Sequence, residues 1–170
     1  MTGSGSIVRV TPRYAPHLVF PDRPYRPGEG PHPKTWAAPT PPPPPLTHAG
    51  FAGHEEFLFG VDLLNHGFDW EAHEAWEDIW RVTPKGSPER LLLQGLIQVA
   101  AAKVKRTADA RRESLGLAER ATEKLRRAAE GGPEVLCGIV VSPFADAVDG
   151  WAREWGETGA LVLEVQGVGG

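Results

Sequence analysis

Apolar positions recur every three to four residues along most of the chain after residue 47, which is the period of an α-helix with one buried face. The pattern is broken by short polar loops such as "TPKGS" and "GGP". It predicts an all-α fold, a compact bundle or array of four to five helices. The predicted helices cover approximately residues 54–66, 70–82, 88–107, 109–130 and 143–155.

Residues with known preferences for helix ends set these boundaries. Gly67 is at a stop position, and Asp69 is predicted to cap the second helix. Ser87–Pro88 and Ser142–Pro143 each combine a capping side chain with a proline suited to the first helical position. The fifth helix then places an apolar stripe on one side, made of Phe144, Val148, Trp151 and Trp155.

Proline separates the N-terminal part from this helical region. Thirteen of the 17 prolines lie in the first 50 residues, and the run Pro41–Pro45 favours polyproline II over helix. The segment is either a spacer or an arm that lies on the surface of the helical domain. Its prolines favour an extended spacer, and its aromatic residues favour contact with the domain equally. The predicted division is an extended proline-rich arm (1–46), a helical domain (47–158) and a C-terminal tail (159–170), where "ALVLEVQ" could form a short strand.

Composition narrows the class of protein. Hydrophobic residues make up 41% and charged residues 24%, as in ordinary globular domains. The single cysteine, Cys137, excludes an intrachain disulfide and lies among apolar residues, where packing is expected rather than reactivity. The start of the chain does not resemble a signal peptide, and no apolar run reaches the roughly 20 residues that span a bilayer. The expected location is cytoplasmic, away from membranes.

Charge is distributed unevenly. Residues 47–82 carry eight acids and one arginine, whereas residues 83–131 carry eleven bases and six acids. Packing of acidic helices beside basic ones explains this distribution. A nucleic-acid surface is disfavoured by the net charge of −4, by the acids that interrupt the basic helix and by the lack of aromatic residues among its bases.

The second helix, "DWEAHEAWEDIW", carries the candidate chemistry. His73, Trp76, Glu77 and Trp80 share one side of the helix, Glu74 lies at its boundary and Glu71 is expected to point away. A histidine and a glutamate one turn apart can share a metal ion, and such a set suits zinc, iron or manganese. The alternative is a buried His–Glu hydrogen bond that joins helices.

The third helix, "LLLQGLIQVAAAKV", is apolar on nearly every side except for Gln94 and Gln98. Buried amides need partners, so at least one glutamine is predicted to bond His73, Glu74 or Glu77. A His/Glu/Gln cluster of this kind either holds a ligand or fixes the helix register.

The arm offers one further donor. In "GPHP", His32 is held between two prolines, so its backbone is stiff and the imidazole could complete a site on the bundle. A solvated turn is the alternative. The segment of residues 20–36 is predicted to lie against the bundle, with His32 near the acids of the second helix.

"NHGFDWEAHEAWEDIWR" followed by "LLLQGLIQVAAAKVK" resembles the paired signature of the domain of unknown function 309 family, small prokaryotic helical proteins. The resemblance covers about residues 54–128 and implies an all-α bundle without an established activity. Many members carry histidine near the end of the second motif, where this chain has Lys103 and Lys105. "YRPGEGPHP" also resembles an N-terminal extension seen in some members. Residues that match the first motif are Gly67, Phe68, Glu71, His73, Glu74, Glu77 and Trp80, and Leu93–Ala102 match the second.

Two functional hypotheses follow. In the first, the protein binds a metal or a small molecule and could be a hydrolase. In the second, it is a structural or interaction module that binds a protein partner through the arm or the outer helix faces. A homo-oligomer is compatible with both hypotheses. The first hypothesis assigns His73, Glu77 and His32 as metal ligands, Glu74 as acid/base or third ligand, and Gln94, Gln98, Trp76 and Trp80 as ligand contacts.

Overall fold

The computed structural model describes residues 11–31, 41–156 and 160–169. In this part of the chain five α-helices account for most of the structure, which confirms the all-α prediction. No helix in these ranges is both long and apolar enough to cross a membrane. The helices are α1 (Glu55–Asn65), α2 (Asp69–Val82), α3 (Pro88–Thr107), α4 (Arg111–Gly131) and α5 (Val141–Arg153), with a 3-10 turn at Phe51–Gly53.

Helix α3 lies between α2 and α4, while α1 packs on α2 and α5 packs on α4. Two glycines allow close approach. A Cβ on Gly95 would stand 2.8 Å from the Leu125 side chain of α4, and a Cβ on Gly60 would stand 2.3 Å from the Trp76 indole of α2. Trp76 is fully buried and donates its indole N–H to the Phe57 carbonyl at 3.2 Å. The close packing of these helices therefore requires glycine at both positions, because a larger side chain would overlap the neighbouring helix.

Contacts at both ends make α2 and α3 antiparallel. Lys103 Nζ lies 2.9 Å from Asp69 Oδ1 at the start of α2. At the C-terminal end of α2, the Arg90 guanidinium of α3 stacks 4.1 Å from the Trp80 ring. It also donates to the carbonyls of Trp80 and Thr83. Arg90 thus adds charged donors to carbonyls at the C-terminal end of α2, one of which also accepts the Thr83 N–H.

The helix starts partly follow the sequence signals. Ser87 Oγ accepts from Arg90 N–H at 3.2 Å, with Pro88 in the first turn, as predicted. Asp69 was predicted to cap α2, but Phe68 occupies the cap position. The Asp69 carboxylate instead contacts Lys103. Ser142 is not a cap either, since α5 already begins at Val141.

A β-hairpin that the helical pattern did not predict precedes α5. Strands β1 (Val135–Leu136) and β2 (Ile139–Val140) pair antiparallel. The two turn residues, Cys137 and Gly138, have φ of 49° and 76°, as a type I′ turn requires. A Cβ on Gly138 would meet the Gln166 carbonyl at 2.5 Å, so glycine is needed there for packing as well.

The short strand predicted near the C-terminus does not form within residues 160–169. Leu161, Leu163 and Val165 are buried and alternate with exposed residues. The Asn65 side chain bonds both backbone groups of Leu163, donating to its carbonyl at 2.8 Å and accepting its N–H at 2.9 Å. The Asn65 amide therefore forms the pair of backbone hydrogen bonds that a neighbouring strand would otherwise form.

The first described stretch of the arm is anchored on α1. Buried Asp62 accepts from Arg13 Nε at 3.0 Å and from the backbone N–H groups of Tyr14 and Ala15 at 2.7 and 2.9 Å. The Phe20 ring packs on the rings of Phe59, His66 and Phe68, with centroid distances of 4.9–5.9 Å. This part of the arm is packed rather than a free spacer.

Later parts of the arm contact both ends of α2. Tyr25 N–H donates to Glu71 Oε1 at 2.6 Å near the helix start. Buried Leu46 donates its N–H to Thr83 Oγ1 at 3.1 Å just beyond the helix end. Within the predicted segment 20–36, contact with the bundle is observed at Phe20 and Tyr25, whereas residues 32–36 lie outside the described residues. The division at 46/47 and 158/159 stays a prediction.

Candidate functional site

The structure brings together three polar side chains of α2, His73, Glu74 and Glu77, called here the His73 cluster. One donor atom from each lies within 4.8 Å of the others. His73 Nδ1 is 3.4 Å from Glu74 Oε1 and 3.7 Å from Glu77 Oε2. Glu77 follows His73 by one helical turn, and the flexible Glu74 side chain reaches the same point from the boundary position. The predicted acid/base residue and both helical ligands therefore meet.

The cluster is partly open to solvent. The exposed fractions of the three side chains are 23% for His73, 17% for Glu74 and 30% for Glu77. Among the described residues, His73 Nδ1 is buried and makes no hydrogen bond, although two carboxylates stand nearby. Both carboxylates are close enough to act electrostatically, but Glu77 Oε2 is too far from Nδ1 for a hydrogen bond and Glu74 Oε1 does not meet the geometry of one.

Neighbouring side chains hold the cluster in place. The Trp70 ring stacks on the His73 ring at 5.7 Å, with an interplanar angle of 18°. Arg81 donates to Glu77 Oε1 at 3.0 Å, which leaves Glu77 Oε2 directed towards His73. One glutamate oxygen is thus fixed by a cation while the other belongs to the cluster.

The two glutamines do not make the predicted hydrogen bonds. The antiparallel register puts Gln98 level with His73 and Gln94 level with Glu77. Both glutamines are half-buried. In the described part of the chain, however, no hydrogen bond joins either amide to the His73 cluster, and Gln98 Oε1 is buried without a partner. The sequence predicted a hydrogen bond from at least one of these amides to the His73 cluster, and the described residues do not form it.

Residues 57–117 match the sequence model of the family described as Domain of unknown function (DUF309). Over this segment, called here the DUF309 domain, the chain is similar to that family. The match runs from α1 into α4, so it includes the His73 cluster and both glutamines, and it confirms the resemblance found in the sequence. Comparison of the chain with curated proteins and with solved structures gave no match.

The tryptophans of the DUF309 domain have different environments. Trp76 lies inside the core against α1 and is fully buried, so its position is that of a packing residue. Trp80 is half-buried between the core and Arg90, and its indole N–H is buried without a hydrogen bond among the described residues. Trp80 therefore remains the better candidate for a ligand contact. His32 lies outside the described residues, so its assignment stays a prediction.

The sequence did not identify the polar groups at the start of α2. Glu71 was expected to point away, but it is half-buried beneath the arm and accepts the Tyr25 N–H. Burial raises the pKa of Glu71, although that hydrogen bond opposes the rise. Burial likewise raises the pKa of Asp69 against the opposing effect of Lys103. The arm's position explains the burial of Glu71, which the periodicity of α2 does not predict.

Cys137 is packed, as expected. It is fully buried, and burial raises the pKa of its thiol to about 12, with the nearby Glu89 carboxylate adding to the rise. Since the reactive species is the thiolate, about one molecule in 10,000 would be ionised at pH 8. Cys137 therefore has no role in the candidate site.

We expect Cys137 to react with Ellman's reagent at pH 8 at least about 100-fold more slowly in the folded protein than in guanidinium, where the thiol regains an ordinary pKa. Absorbance of the released thiolate measures both rates, and one thiol per denatured chain calibrates the assay. Rapid stoichiometric reaction of the native protein would contradict the buried environment.

Proposed function

We propose that the chain binds a divalent transition-metal ion at the His73 cluster. The observation that carries the proposal is the environment of His73 Nδ1, which is buried, makes no hydrogen bond among the described residues and faces two carboxylate oxygens at 3.4 and 3.7 Å. One imidazole nitrogen and two carboxylates are a donor set that suits zinc, manganese or iron. These three residues are a group that could hold a metal ion.

The separations support this proposal. Ligand bonds of roughly 2.1 Å in tetrahedral geometry place neighbouring donor atoms about 3.4 Å apart. The His73–Glu74 separation equals that value, and the His73–Glu77 separation of 3.7 Å exceeds it slightly. All three donor atoms lie within 4.8 Å of one another, so one ion could contact all three after side-chain adjustment. Glu74 then acts as the third ligand, which is one of the two roles that the sequence suggested.

Three protein donors also bear on the reaction class. A tetrahedral ion held by three side chains keeps one position for water, as catalytic zinc sites do, whereas structural sites use four protein ligands. We propose hydrolysis as the reaction that this arrangement supports best, because an ion held by His73, Glu74 and Glu77 would make a water molecule there more acidic. Gln94, Gln98 and Trp80 are the proposed substrate contacts, because the glutamines lie level with the cluster across the α2–α3 contact and Trp80 follows Glu77 on the same helix.

A structural role is the second candidate, and the contacts of Glu77 and His73 favour it. Arg81 already pairs with Glu77, and Trp70 already stacks on His73, so the cluster has contacts that do not require an ion. In that case the domain would act through a protein partner bound to the arm or the outer helix faces. The two candidate functions predict opposite effects of the Glu74 and Glu77 carboxylates on the stability of the metal-free protein.

The test is titration calorimetry of the metal-free protein with Zn²⁺ and Mn²⁺, together with elemental analysis of protein purified without added metal. We expect one ion per chain. Replacing one ligand, as in His73→Ala or Glu77→Gln, should weaken binding by at least about 100-fold, since even changes around a ligand cost 10–100-fold. His17→Ala is the matched control, because His17 and Glu55 form an exposed His–carboxylate pair at 2.7 Å that has no third donor among the described residues.

Thermal unfolding separates the two candidates further. If the carboxylates are kept close for an ion, the double change Glu74→Gln with Glu77→Gln should raise the melting temperature of the metal-free protein while abolishing the response to Zn²⁺. If they only fix the helices, the same change should lower it. A lower melting temperature, combined with a parent protein that binds no more metal than His73→Ala, would overturn the metal proposal.

A further inference from the structure

A separate cavity lies where the arm crosses the start of α2 and the end of α3. Its volume is about 440 Å³, within the usual range for small-molecule sites. The arm forms one wall with residues 24–27 and Glu29, and the α1–α2 turn and the last two turns of α3 form the others. This space, called here the arm cavity, contains none of the residues of the His73 cluster.

The apolar part of the arm cavity is mainly aromatic. Tyr25 and Trp70 line it, and their rings meet edge to face with centroids 5.2 Å apart. Pro24 and Pro27 add stiff apolar surface on the arm side. Such walls favour a planar ring, because an aromatic ring buries a large area against them and can stack or meet them edge-on.

The polar part of the cavity carries excess positive charge. Its lining includes three cations (Arg26, Lys103 and Lys105) and two carboxylates (Glu29 and Asp69), whereas the chain as a whole has a net charge of −4. Lys103 is already engaged with Asp69 at 2.9 Å and with the Leu64 carbonyl at 2.8 Å.

The other two cations remain available. Arg26 and Lys105 are exposed, and neither forms an ion pair with any residue that the structure describes. A guanidinium and an ammonium at the edge of an aromatic cavity can bind a phosphate or carboxylate through charge-assisted hydrogen bonds. The cavity therefore offers an anionic group two unengaged partners and offers a ring two aromatic walls.

We infer that the arm cavity binds a small anion that carries a flat aromatic ring. Trp70 and Tyr25 would hold the ring, and Arg26 with Lys105 would hold the anionic group. The arm supplies Arg26 and Tyr25, while the DUF309 domain supplies Trp70 and Lys105, so the site exists only where the arm is seated. This inference does not rest on the metal proposal.

Titration calorimetry of the full chain at low ionic strength tests it with three probes: phenyl phosphate, inorganic phosphate and phenol. Phenyl phosphate should bind at one site per chain and at least about tenfold more tightly than either fragment, because only it uses both parts of the cavity. Trp70→Leu should remove most of the advantage of phenyl phosphate over inorganic phosphate. All three titrations use metal-free protein, so the outcome does not depend on whether the His73 cluster binds an ion.

Charge variants give the matched comparison. Arg26→Ala and Lys105→Ala should each weaken phenyl phosphate binding at least about fivefold. Arg23→Ala and Lys85→Ala remove equally exposed cations that do not line the cavity, and should leave binding unchanged. Because all four side chains are exposed, folding should be preserved, and melting temperatures check it. Equal weakening by all four variants, or phenyl phosphate binding no tighter than inorganic phosphate, would overturn the inference.

Discussion

Replacing Gly60 with alanine is expected to destabilise the protein by about 2 kcal/mol, although alanine is the better helix former. The new Cβ would stand 2.3 Å from Trp76 Nε1 and 2.7 Å from Cε2, well inside contact distance. The indole has no room to retreat, because Trp76 is fully buried and its N–H is held by the Phe57 carbonyl. Helix α1 would have to move away from α2.

Thermal unfolding measures this effect, and a loss of about 2 kcal/mol corresponds to a melting temperature lower by about 4–8 °C for a chain of this size. Gly116→Ala is the control, since Gly116 also lies inside a helix but its Cβ would meet only the Arg120 side chain, at 3.8 Å. That substitution should be neutral or stabilise by up to about 1 kcal/mol. If both alanines raised the melting temperature, the close approach of α1 and α2 would be wrong.

Replacing Asp62 with alanine is expected to cost about 3 kcal/mol and to release the first stretch of the arm. The Asp62 carboxylate is fully buried and accepts three hydrogen bonds from the arm, one from Arg13 and two from backbone amides. Breaking a buried ion pair leaves the partner without compensation, at a cost of about 3–5 kcal/mol. We expect the lower end of that range because Arg13 is 25% exposed and can recover some hydration.

Unfolding in denaturant and limited proteolysis measure the two consequences separately. Asp149→Ala is the matched control, because Asp149 pairs with Arg153 on the surface of α5 one turn away, and such pairs contribute about 0.5 kcal/mol or less. The Asp62 variant should be cleaved within residues 11–31 faster than the parent, whereas the Asp149 variant should not. An Asp62 variant as stable as the Asp149 variant would mean that the arm contributes little to stability.

The arm links the two proposed sites to the fold. Its first described stretch is fixed on α1 through Asp62, and Tyr25 then reaches Glu71 and Trp70 at the start of α2. Trp70 lines the arm cavity and also stacks on His73. Weakening the Asp62 anchor should therefore weaken phenyl phosphate binding, even though Asp62 does not line the cavity.

Helix positions and the His73 cluster could be predicted because both depend on spacing within one element. The third helix begins at the predicted Ser87–Pro88 signal, and residues one turn apart on α2 had to share a side. The hairpin before α5 could not be predicted from periodicity, because it depends on two left-handed residues at Cys137 and Gly138. The glutamine contacts failed for a related reason, since sequence spacing gives the level of a side chain along a helix but not its angle towards a neighbour.

The sequence by itself determined the helical class, the family motifs and the local grouping of His73, Glu74 and Glu77, because these follow from the geometry of single helices and from residue identity. Only the tertiary structure decided which polar groups are buried by other segments. Glu71 is covered by the arm, and Lys103 meets Asp69 across two helices. These contacts join residues more than 30 positions apart, and their formation depends on how helices and arm pack, which no short-range pattern encodes.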